Sequence, residues 1–263
     1  MAPLDLTAQA LALLVARDPA VPEAAPPEGL APGDLAAAYR LQEAVVRANG
    51  LTPAGYKLAA TSQVAQDFLG LQAPLTGCLF RERIMTSPAS ILASQERFLL
   101  VEPEYAFTLG RDLPPRSKPY AQAEVAAAVA SLHPAFEIVT SAYGAAWTDV
   151  GAAALVADNA AHAALVLGPA CTDWQDLDSV HQPVTLTLQD ERHSQGEGAR
   201  ALGSPLAALT WLSRELQTRG QGLRAGQVVT TGVVTDIAFL SAGQTARADF
   251  GPLGSVSLSA TKA

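Results

Sequence analysis

Apolar and polar residues repeat with two periods along this chain, and these periods predict its helices and strands. Leucines at helical spacing predict a helix over 5–17, and Asp34 and Gly50 have the residue types of an N-cap and a stop around a second helix. Further helices are predicted over 62–70, 120–132 and 205–219. Strands are predicted at 55–61, 97–109, 135–141, 162–168, 183–189, 227–231, 236–240, 244–250 and 255–259.

The balance of these elements predicts the fold class. Many short strands with few helices favour an α+β protein whose sheet is closed or folded over, rather than a series of βαβ units. Three of the predicted helices and the proline-rich connector over 18–33 lie within about the first 70 residues.

Residues 98–107 place two carboxylates on one face of a predicted strand. Side chains alternate between the faces of a strand, so Glu102 and Glu104 point the same way. Their neighbours on that face, Leu100 and Ala106, are apolar. Two such carboxylates repel each other and lose hydration, and a divalent cation would compensate both effects. Salt bridges or a solvent-facing position are the alternative.

A third glutamate, Glu137, lies in another strand-like run and shares a face with Ala135 and Val139. Three glutamates at inward-facing strand positions form an oxygen-rich site that suits Mg2+ or Mn2+, with positions left for substrate and water. Zinc is disfavoured, because the histidines show no HxxxH or HExxH spacing and the two cysteines are isolated. For Glu137 alone, an ion pair with a buried arginine is the alternative.

Lys57 lies in an otherwise apolar predicted strand, shortly before Thr61 and Ser62 at a helix start. Its side chain either extends outward to solvent or is held inward by anionic partners. Close to carboxylates and a metal, its ammonium group would bind a substrate carboxylate or stabilise a developing enolate.

Other motifs contribute less. The dinucleotide-binding glycine pattern, the phosphate-binding loop and the nucleophile elbow of serine hydrolases are all missing from the sequence. Residues 190–196 have the composition of a polar turn or mobile loop. Asp158 and Asn159 would either line a pocket or form a turn.

Composition and charge exclude some partners. The formal net charge of -8, with no cluster of lysine or arginine, argues against nucleic acid. We also expect no membrane partner, because no apolar run approaches the ~20 residues of a membrane span. Without a signal-peptide pattern, and with only Cys78 and Cys171 as cysteines, a cytoplasmic location is the default expectation.

Many short motifs, taken in order, give the chain from about Asp34 onward a resemblance to a known family. They are Ala38-Tyr39-Arg40-Leu41-Gln42, Gly55-Tyr56-Lys57, Thr61-Ser62, Leu69-Gly70, Gly77-Cys78-Leu79-Phe80, Glu102-x-Glu104-x-Ala106-Phe107, Arg111-Asp112-Leu113-Pro114, Pro134-Ala135-x-Glu137-Ile138, Ala157-Asp158-Asn159, Leu202-Gly203-x-Pro205-Leu206, the run from Gly226 to Gly232, and Gly251-x-Leu253-Gly254-Ser255-Val256. The sequence resembles the fumarylacetoacetate-hydrolase superfamily, in the branch of 2-oxopent-4-enoate (2-hydroxypentadienoate) hydratases and 4-oxalocrotonate decarboxylases.

The resemblance implies a catalytic domain over 86–263 that is built on a mixed β-roll, preceded by a small N-terminal helical or α+β region over 1–85. The same resemblance implies Mg2+ or Mn2+ bound by Glu102, Glu104 and Glu137. It also implies that Lys57 is the active-site lysine and that the protein is a homo-oligomer. The sequence departs from the family pattern at Glu82, where an aspartate is expected, and at Ala142, where an arginine often follows the serine.

The resulting expectation is a lyase that adds water to a small 2-hydroxy-dienoate or its 2-oxo tautomer through a metal-stabilised dienolate. We expect Lys57 to stabilise the enolate or hold the carboxylate, and Glu82 to transfer a proton. Thr61, Ser62 and Asp158 are the expected substrate contacts. The alternatives are decarboxylation of a 2-oxo-dioate such as 4-oxalocrotonate, hydrolysis of an acylpyruvate, and a non-catalytic metal-binding subunit that partners an active homologue.

Overall fold

Two mixed β-sheets form the body of the protein in the computed structural model, which describes residues 4–262. The strands are β1 (Pro53–Ala59), β2 (Leu75–Phe80), β3 (Ile84–Thr86), β4 (Ala89–Leu92), β5 (Leu100–Leu109), β6 (Val129–Val139), β7 (His162–Leu167), β8 (Pro183–Leu188), β9 (Glu191–Glu197), β10 (Val228–Val233), β11 (Ala238–Phe239), β12 (Thr245–Asp249) and β13 (Ser255–Thr261). The helices are α1 (Leu6–Val15), α2 (Leu35–Asn49), α3 (Gln63–Leu69), α4 (Gln122–Ala126), α5 (Ala152–Ala157) and α6 (Pro205–Thr218).

The larger sheet has eight strands in the order β2-β1-β10-β5-β6-β7-β3, with β11 also paired to β5. The smaller sheet has five strands in the order β4-β13-β12-β8-β9. Parallel pairs join β1 to β10, β3 to β7 and β4 to β13, and the other pairs are antiparallel. The α+β class and the folded-over sheet expected from the sequence are confirmed.

The central strands β5 and β6 have two chemically different faces. Side chains such as Tyr105, Phe107 and Phe136 enter the main core, where they pack with residues of the smaller sheet and of α6. The glutamates occupy the opposite face, because side chains alternate along each strand. The main core therefore holds one face of β5 and β6 in place while the other face carries the charged groups.

The N-terminal helices α1 and α2 pack on each other, and α2 also contacts α5 and strand β2. Asp34 caps α2 by accepting the backbone N–H of Ala37, and Gly50 ends it in a left-handed conformation, as the sequence predicts. α1 and α2 bury Leu13 and Leu41 in a separate cluster that also contains Ala142, Tyr143 and residues of α5. The strands β1 and β2 nevertheless pair within the larger sheet, so that sheet crosses the division suggested at residue 85.

Several segments differ from the sequence-based prediction, among them β2, β3 and β4, where the sequence pattern predicts no strand. The helix expected over 120–132 is only α4, because the residues from Val129 onward pair with β5 as part of β6. The expected polar loop over 190–196 is β9, an edge strand whose exposed position accounts for its polar side chains. The alanine-rich helix α5 is fully buried and was not predicted.

Within residues 4–262, none of the helices has the length and apolar character needed to cross a membrane.

Candidate metal centre and active site

Strand pairing brings the three predicted glutamates together. Glu102 lies directly opposite Glu137 in the β5–β6 ladder, and Glu104 follows two residues along the same face of β5. The three side chains each offer a carboxylate oxygen, and these oxygens all lie within 4.8 Å of one another. Glu104 and Glu137 are fully buried and Glu102 is half-buried, so the cluster is an acidic site inside the protein.

Two buried oxygens of this cluster have no donor within residues 4–262. Glu104 accepts the backbone N–H of Gly232 at Oε2 (2.8 Å), and Glu137 contacts Lys57 (3.1 Å) and His162 (3.0 Å) through Oε1. The other oxygens, Oε1 of Glu104 and Oε2 of Glu137, are buried without a partner among the described residues. Unsatisfied buried carboxylate oxygens are costly, and a hard divalent ion would satisfy both. The donor set therefore fits Mg2+ or Mn2+.

The charge of the cluster leads to the same conclusion. Three ionised carboxylates and one ammonium group, that of Lys57, carry a formal charge of -2. Burial raises the pKa of Glu102 to about 7, with the charge of Lys57 opposing the shift and that of Glu137 reinforcing it. Burial together with the charges of Glu137 and Glu102 raises the pKa of Glu104 well above its usual range. A divalent ion would supply the missing positive charge.

This electrostatic imbalance predicts how pH and metal act together on stability. Because the pKa of Glu102 is raised to about 7, the folded, metal-free protein keeps a proton that the unfolded chain loses above about pH 4.5. The free energy of unfolding of the metal-free protein therefore falls as the pH rises from about 4.5 to about 7. Metal binding displaces that proton. We therefore expect Mg2+ to raise the melting temperature more at about pH 8 than at about pH 6.

Thermal unfolding with and without Mg2+ at the two pH values measures this effect. Glu82→Gln is the control, because Glu82 is an exposed carboxylate bound to Thr52 and its loss should leave the pH dependence of the metal effect unchanged. An equal rise in the melting temperature of the unmodified protein at both pH values would contradict the prediction.

Lys57 points inward and is held by two acceptors. Its side chain is only 2% exposed, and Nζ donates to the carbonyl oxygen of Ala160 (3.0 Å) as well as contacting Glu137. Gly77 lies opposite Lys57 in β2, where a Cβ atom would come within 2.9 Å of the lysine stem. Burial lowers the pKa of Lys57, but the carboxylates of the cluster outweigh this and leave it raised. The lysine is therefore a fixed cation at the acidic site.

A strained turn presents the carbonyl group that Lys57 contacts. Residues 159–161 all adopt left-handed φ angles of 54°, 51° and 59°, which are unfavourable for residues other than glycine. Asn159 holds the turn in place, because its side-chain amide accepts from the backbone N–H of Cys78 and donates to the carbonyl of the same residue. This turn directs the carbonyl of Ala160 toward the lysine.

His162 is a site residue that the sequence did not reveal. It begins β7 and is 2% exposed, and its Nδ1 lies 3.0 Å from Oε1 of Glu137. Because a carboxylate only accepts, Nδ1 carries the hydrogen. Burial lowers the pKa of His162 despite the carboxylate, so the ring is neutral. The ring therefore fixes one oxygen of Glu137 and leaves the other directed at the cluster.

We expect His162→Gln to weaken Mg2+ or Mn2+ binding about 10–100-fold, because groups that orient a metal ligand have effects of this size. Calorimetric titration of the metal-depleted protein measures the affinity. His133→Gln is the matched control: His133 is also buried on the larger sheet, but it contacts Ser131, Thr108 and the carbonyl of Gly168 instead of the cluster. An equal loss in both variants would show that His162 has no specific role.

Gly232 closes the other side of the cluster. Its φ of +95° is a conformation that favours glycine, and a Cβ atom there would lie 2.0 Å from Oγ1 of Thr61. The glycine thus allows its N–H to reach Glu104 while Thr61 packs against the same turn.

A cavity of about 290 Å3 opens beside the cluster. Lys57 and Glu102 lie among its lining residues, as do the predicted contacts Thr61 and Ser62. The hydroxyl of Ser62 also caps α3 by accepting the backbone N–H of Ala65. The predicted lysine, glutamate and hydroxyl groups therefore meet at one cavity.

Asp158 does not line this cavity. Its carboxylate accepts from Arg17 (3.0 Å), from the hydroxyl of Ser141 (2.8 Å) and from the backbone N–H of Ala142 (3.0 Å). Arg17 also donates to the carbonyl oxygens of Asp158 and His162. Both carboxylate oxygens are occupied, so Asp158 anchors the N-terminal segment instead of offering an oxygen to a substrate.

Glu82 also lies away from the cavity. It is exposed in a short turn after β2, and its two oxygens accept from the backbone and the hydroxyl of Thr52. These hydrogen bonds lower the pKa of Glu82. Its exposure and its contacts with Thr52 make it a surface carboxylate. The geometry does not support the proton-transfer role expected for it.

Comparison with known proteins agrees with this geometry. The family model of the fumarylacetoacetate (FAA) hydrolase C-terminal domain matches residues 56–259. A 2-keto-4-pentenoate hydratase of Burkholderia vietnamiensis is 34% identical over 227 residues, covering 85% of each chain. A 4-oxalocrotonate decarboxylase of a Pseudomonas species is 28% identical over 217 residues, covering 81% of this chain and 80% of that protein.

Solved structures share the fold. The structure of 4-oxalocrotonate decarboxylase from Pseudomonas putida complexed with magnesium and adipate has a TM-score of 0.87 at 24% identity, covering 97% of this chain and 96% of that one. A second structure of that enzyme, complexed with calcium and acetate, has a TM-score of 0.78 at 25% identity and covers 86% and 85%. Because the family model spans most of the sequence, this chain belongs to the fumarylacetoacetate hydrolase family.

Proposed function

We propose that this protein is a metal-dependent lyase that adds water to a small 2-hydroxy-dienoate or its 2-oxo tautomer. One observation carries the proposal: three clustered glutamates lie beside an inward-facing lysine at a cavity, and two of them have a buried oxygen without a partner in the described part of the chain. The sequence identity between this chain and relatives named 2-keto-4-pentenoate hydratase supports the choice of reaction.

Glu102, Glu104 and Glu137 are the residues that would hold the ion. Mg2+ or Mn2+ is our choice, because all three ligands are carboxylates, and the similar decarboxylase has been solved with magnesium and with calcium. When bound, such an ion polarises a substrate oxygen as a Lewis acid and orients the substrate.

Lys57 is positioned to act on the substrate directly. An ammonium group has three N–H donors, and two of them are taken by Ala160 and Glu137. The third is free for a ligand in the cavity that Lys57 lines. A hydrogen bond from a fixed cation to a developing enolate oxygen, or to the substrate carboxylate, stabilises negative charge where it forms. Thr61 and Ser62 are proposed as further substrate contacts.

Decarboxylation of a 2-oxo-dioate such as 4-oxalocrotonate is the second candidate. Decarboxylation would use the same lysine and carboxylate cluster. A relative named 4-oxalocrotonate decarboxylase is similar to this chain in sequence, and a solved structure with the same name has the same fold. A non-catalytic metal-binding subunit is the third, and it differs in one outcome: metal and oxo-acid analogues would bind but nothing would turn over.

The test is a pair of measurements on the purified protein with Mg2+. Loss of the ultraviolet absorbance of 2-hydroxypenta-2,4-dienoate, with the hydrated 2-oxo acid as product, is the expected result. Carbon dioxide released from 4-oxalocrotonate at a higher kcat/KM would favour the second candidate. Stabilisation by Mg2+ and oxalate without turnover of either compound would favour the third.

We further propose that the protein is a homo-oligomer located in the cytoplasm. Large apolar side chains that are more than half exposed, among them Leu11, Val15 and Phe239, support an association between copies. Light scattering on the eluted protein measures the mass, and a monomer at micromolar concentration would contradict this part of the proposal.

A further inference from the structure

The cavity beside the cluster has two chemically different ends. One end carries Lys57 and Glu102. The remainder is formed mainly by apolar side chains, of which Phe68, Leu69, Trp147, Leu155, Val233 and Ile237 are the largest. A substrate whose carboxylate and 2-oxo group lie at the charged end must therefore place its other end among apolar groups.

No second cation is available at that apolar end. Among the described residues that line the cavity, Lys57 is the sole lysine, arginine or histidine, and its ammonium already contacts Glu137. Apart from the groups at the charged end, the polar side chains that line the cavity are the neutral hydroxyls of Thr61, Ser62 and Thr148. A second substrate carboxylate would lose its hydration there and gain no compensating charge.

The position of Ala142 removes another source of charge. Ala142 is fully buried, packs in the cluster formed by α1 and α2, and does not line the cavity. Ala142 therefore brings no charge to a distal carboxylate in the cavity. Arg17 approaches the same segment but is bound to Asp158 and does not line the cavity either.

The mouth of the cavity is apolar as well. Phe68 is 68% exposed and Ile237 is 41% exposed, although both are large hydrophobic residues that line it. An apolar ligand that covers these exposed side chains removes apolar surface from water, and this contributes favourably to the free energy of binding.

From these observations we infer that the substrate is a 2-hydroxy-dienoate with a single carboxylate and an uncharged, apolar tail beyond the reacting carbons. The inference rests on the proposed function and narrows it: the apolar end of the cavity selects an alkyl-substituted monoacid and rejects a dioate. The cavity thereby favours hydration over the decarboxylation of a dioate.

A substrate series tests the inference on the unmodified protein. It consists of 2-hydroxypenta-2,4-dienoate, its homologues with a methyl or ethyl group on the terminal carbon, and the dicarboxylate 2-hydroxyhexa-2,4-dienedioate. We expect kcat/KM to rise about tenfold for each of the first one or two added carbons. The dioate should fall at least about 100-fold below the methyl homologue, which differs from it only by the carboxylate.

A matched pair of variants tests whether the lining of the cavity determines the selectivity between the dioate and the methyl homologue. Phe68 and Val64 are exposed apolar residues one turn apart on α3, but only Phe68 lines the cavity. Phe68→Arg adds a cation at the apolar end, and we expect it to shift the ratio of kcat/KM for the dioate over the methyl homologue about tenfold or more toward the dioate. Val64→Arg adds the same charge outside the cavity and should leave that ratio unchanged.

The outcomes separate the inference from the proposed function. If the dioate is used as well as the methyl homologue, or if both arginine variants shift the ratio equally, the inference is wrong while the lyase assignment stands. If no dienoate of the series is turned over, with or without a tail, the proposed function fails and the inference fails with it. Melting temperature and oligomeric mass of both variants verify that they fold as the parent does.

Discussion

Glu104→Gln should abolish the response of this protein to divalent metal. Glu104 is fully buried, one of its oxygens is fixed by Gly232, and the other has no partner among the described residues. The amide has nearly the same shape but no charge, so the ion loses a ligand oxygen and one compensating negative charge. We expect the affinity for Mg2+ to fall more than about 100-fold. This loss is larger than the loss caused by changing a residue that only orients a metal ligand. Turnover of the dienoate should be lost with it.

The same substitution should stabilise the metal-free protein. Burial and the neighbouring carboxylates raise the pKa of Glu104, which means that its ionised form is unfavourable in the fold. Removal of that charge therefore raises the melting temperature without metal at about pH 8 and removes the increase that Mg2+ causes. Glu82→Gln is the matched control, because Glu82 is an exposed carboxylate bound to Thr52. A normal Mg2+ response in Glu104→Gln would show that the ligand assignment is wrong.

Lys57→Met should lower kcat by about 10^2 to 10^4, the range found when a charge-stabilising or proton-transferring group is removed. Methionine has a similar length and no charge, so the strand and the cavity keep their shape. The loss of one partner of a buried ion pair also destabilises the metal-free protein by about 3–5 kcal/mol, because Glu137 is left without its cation. A bound divalent ion offsets part of that loss, so we expect Mg2+ to raise the melting temperature of this variant more than that of the parent.

Two measurements distinguish a catalytic Lys57 from a merely structural one. Single-turnover rates at saturating substrate and Mg2+ report the chemical step, and denaturant unfolding reports the stability. Lys57→Arg keeps the charge but changes the positions of the donors, so it should retain more of the stability than of the rate. Full activity in the methionine variant once Mg2+ restores its stability would contradict the assigned role.

The alternation of side chains along β5 and β6 made the centre of the site predictable. Glu102, Glu104 and Glu137 are charged residues at positions where a strand with one buried face has apolar ones, and this conflict indicates a functional site. Lys57 shows the same conflict on β1. The sequence left two directions open for this lysine, and its 2% exposure and its contact with Glu137 establish the inward one.

Other parts of the site depend on long-range pairing, which local patterns do not contain. His162 reaches Glu137 because β7 pairs with β6, and no metal-ligand spacing marks it in the sequence. The carbonyl of Ala160 reaches Lys57 only through a turn of left-handed residues, at positions where glycine would be the usual signal. Asp158 was expected at the substrate, but Arg17, distant in sequence, occupies it.

The metal dependence of turnover tests the central claim most directly. The protein is depleted of metal by chelation, and the absorbance of 2-hydroxypenta-2,4-dienoate is followed while Mg2+ or Mn2+ is titrated back. We predict no loss of absorbance in the depleted protein and full recovery as one ion binds per chain. Turnover at an undiminished rate in the presence of excess chelator would contradict the account.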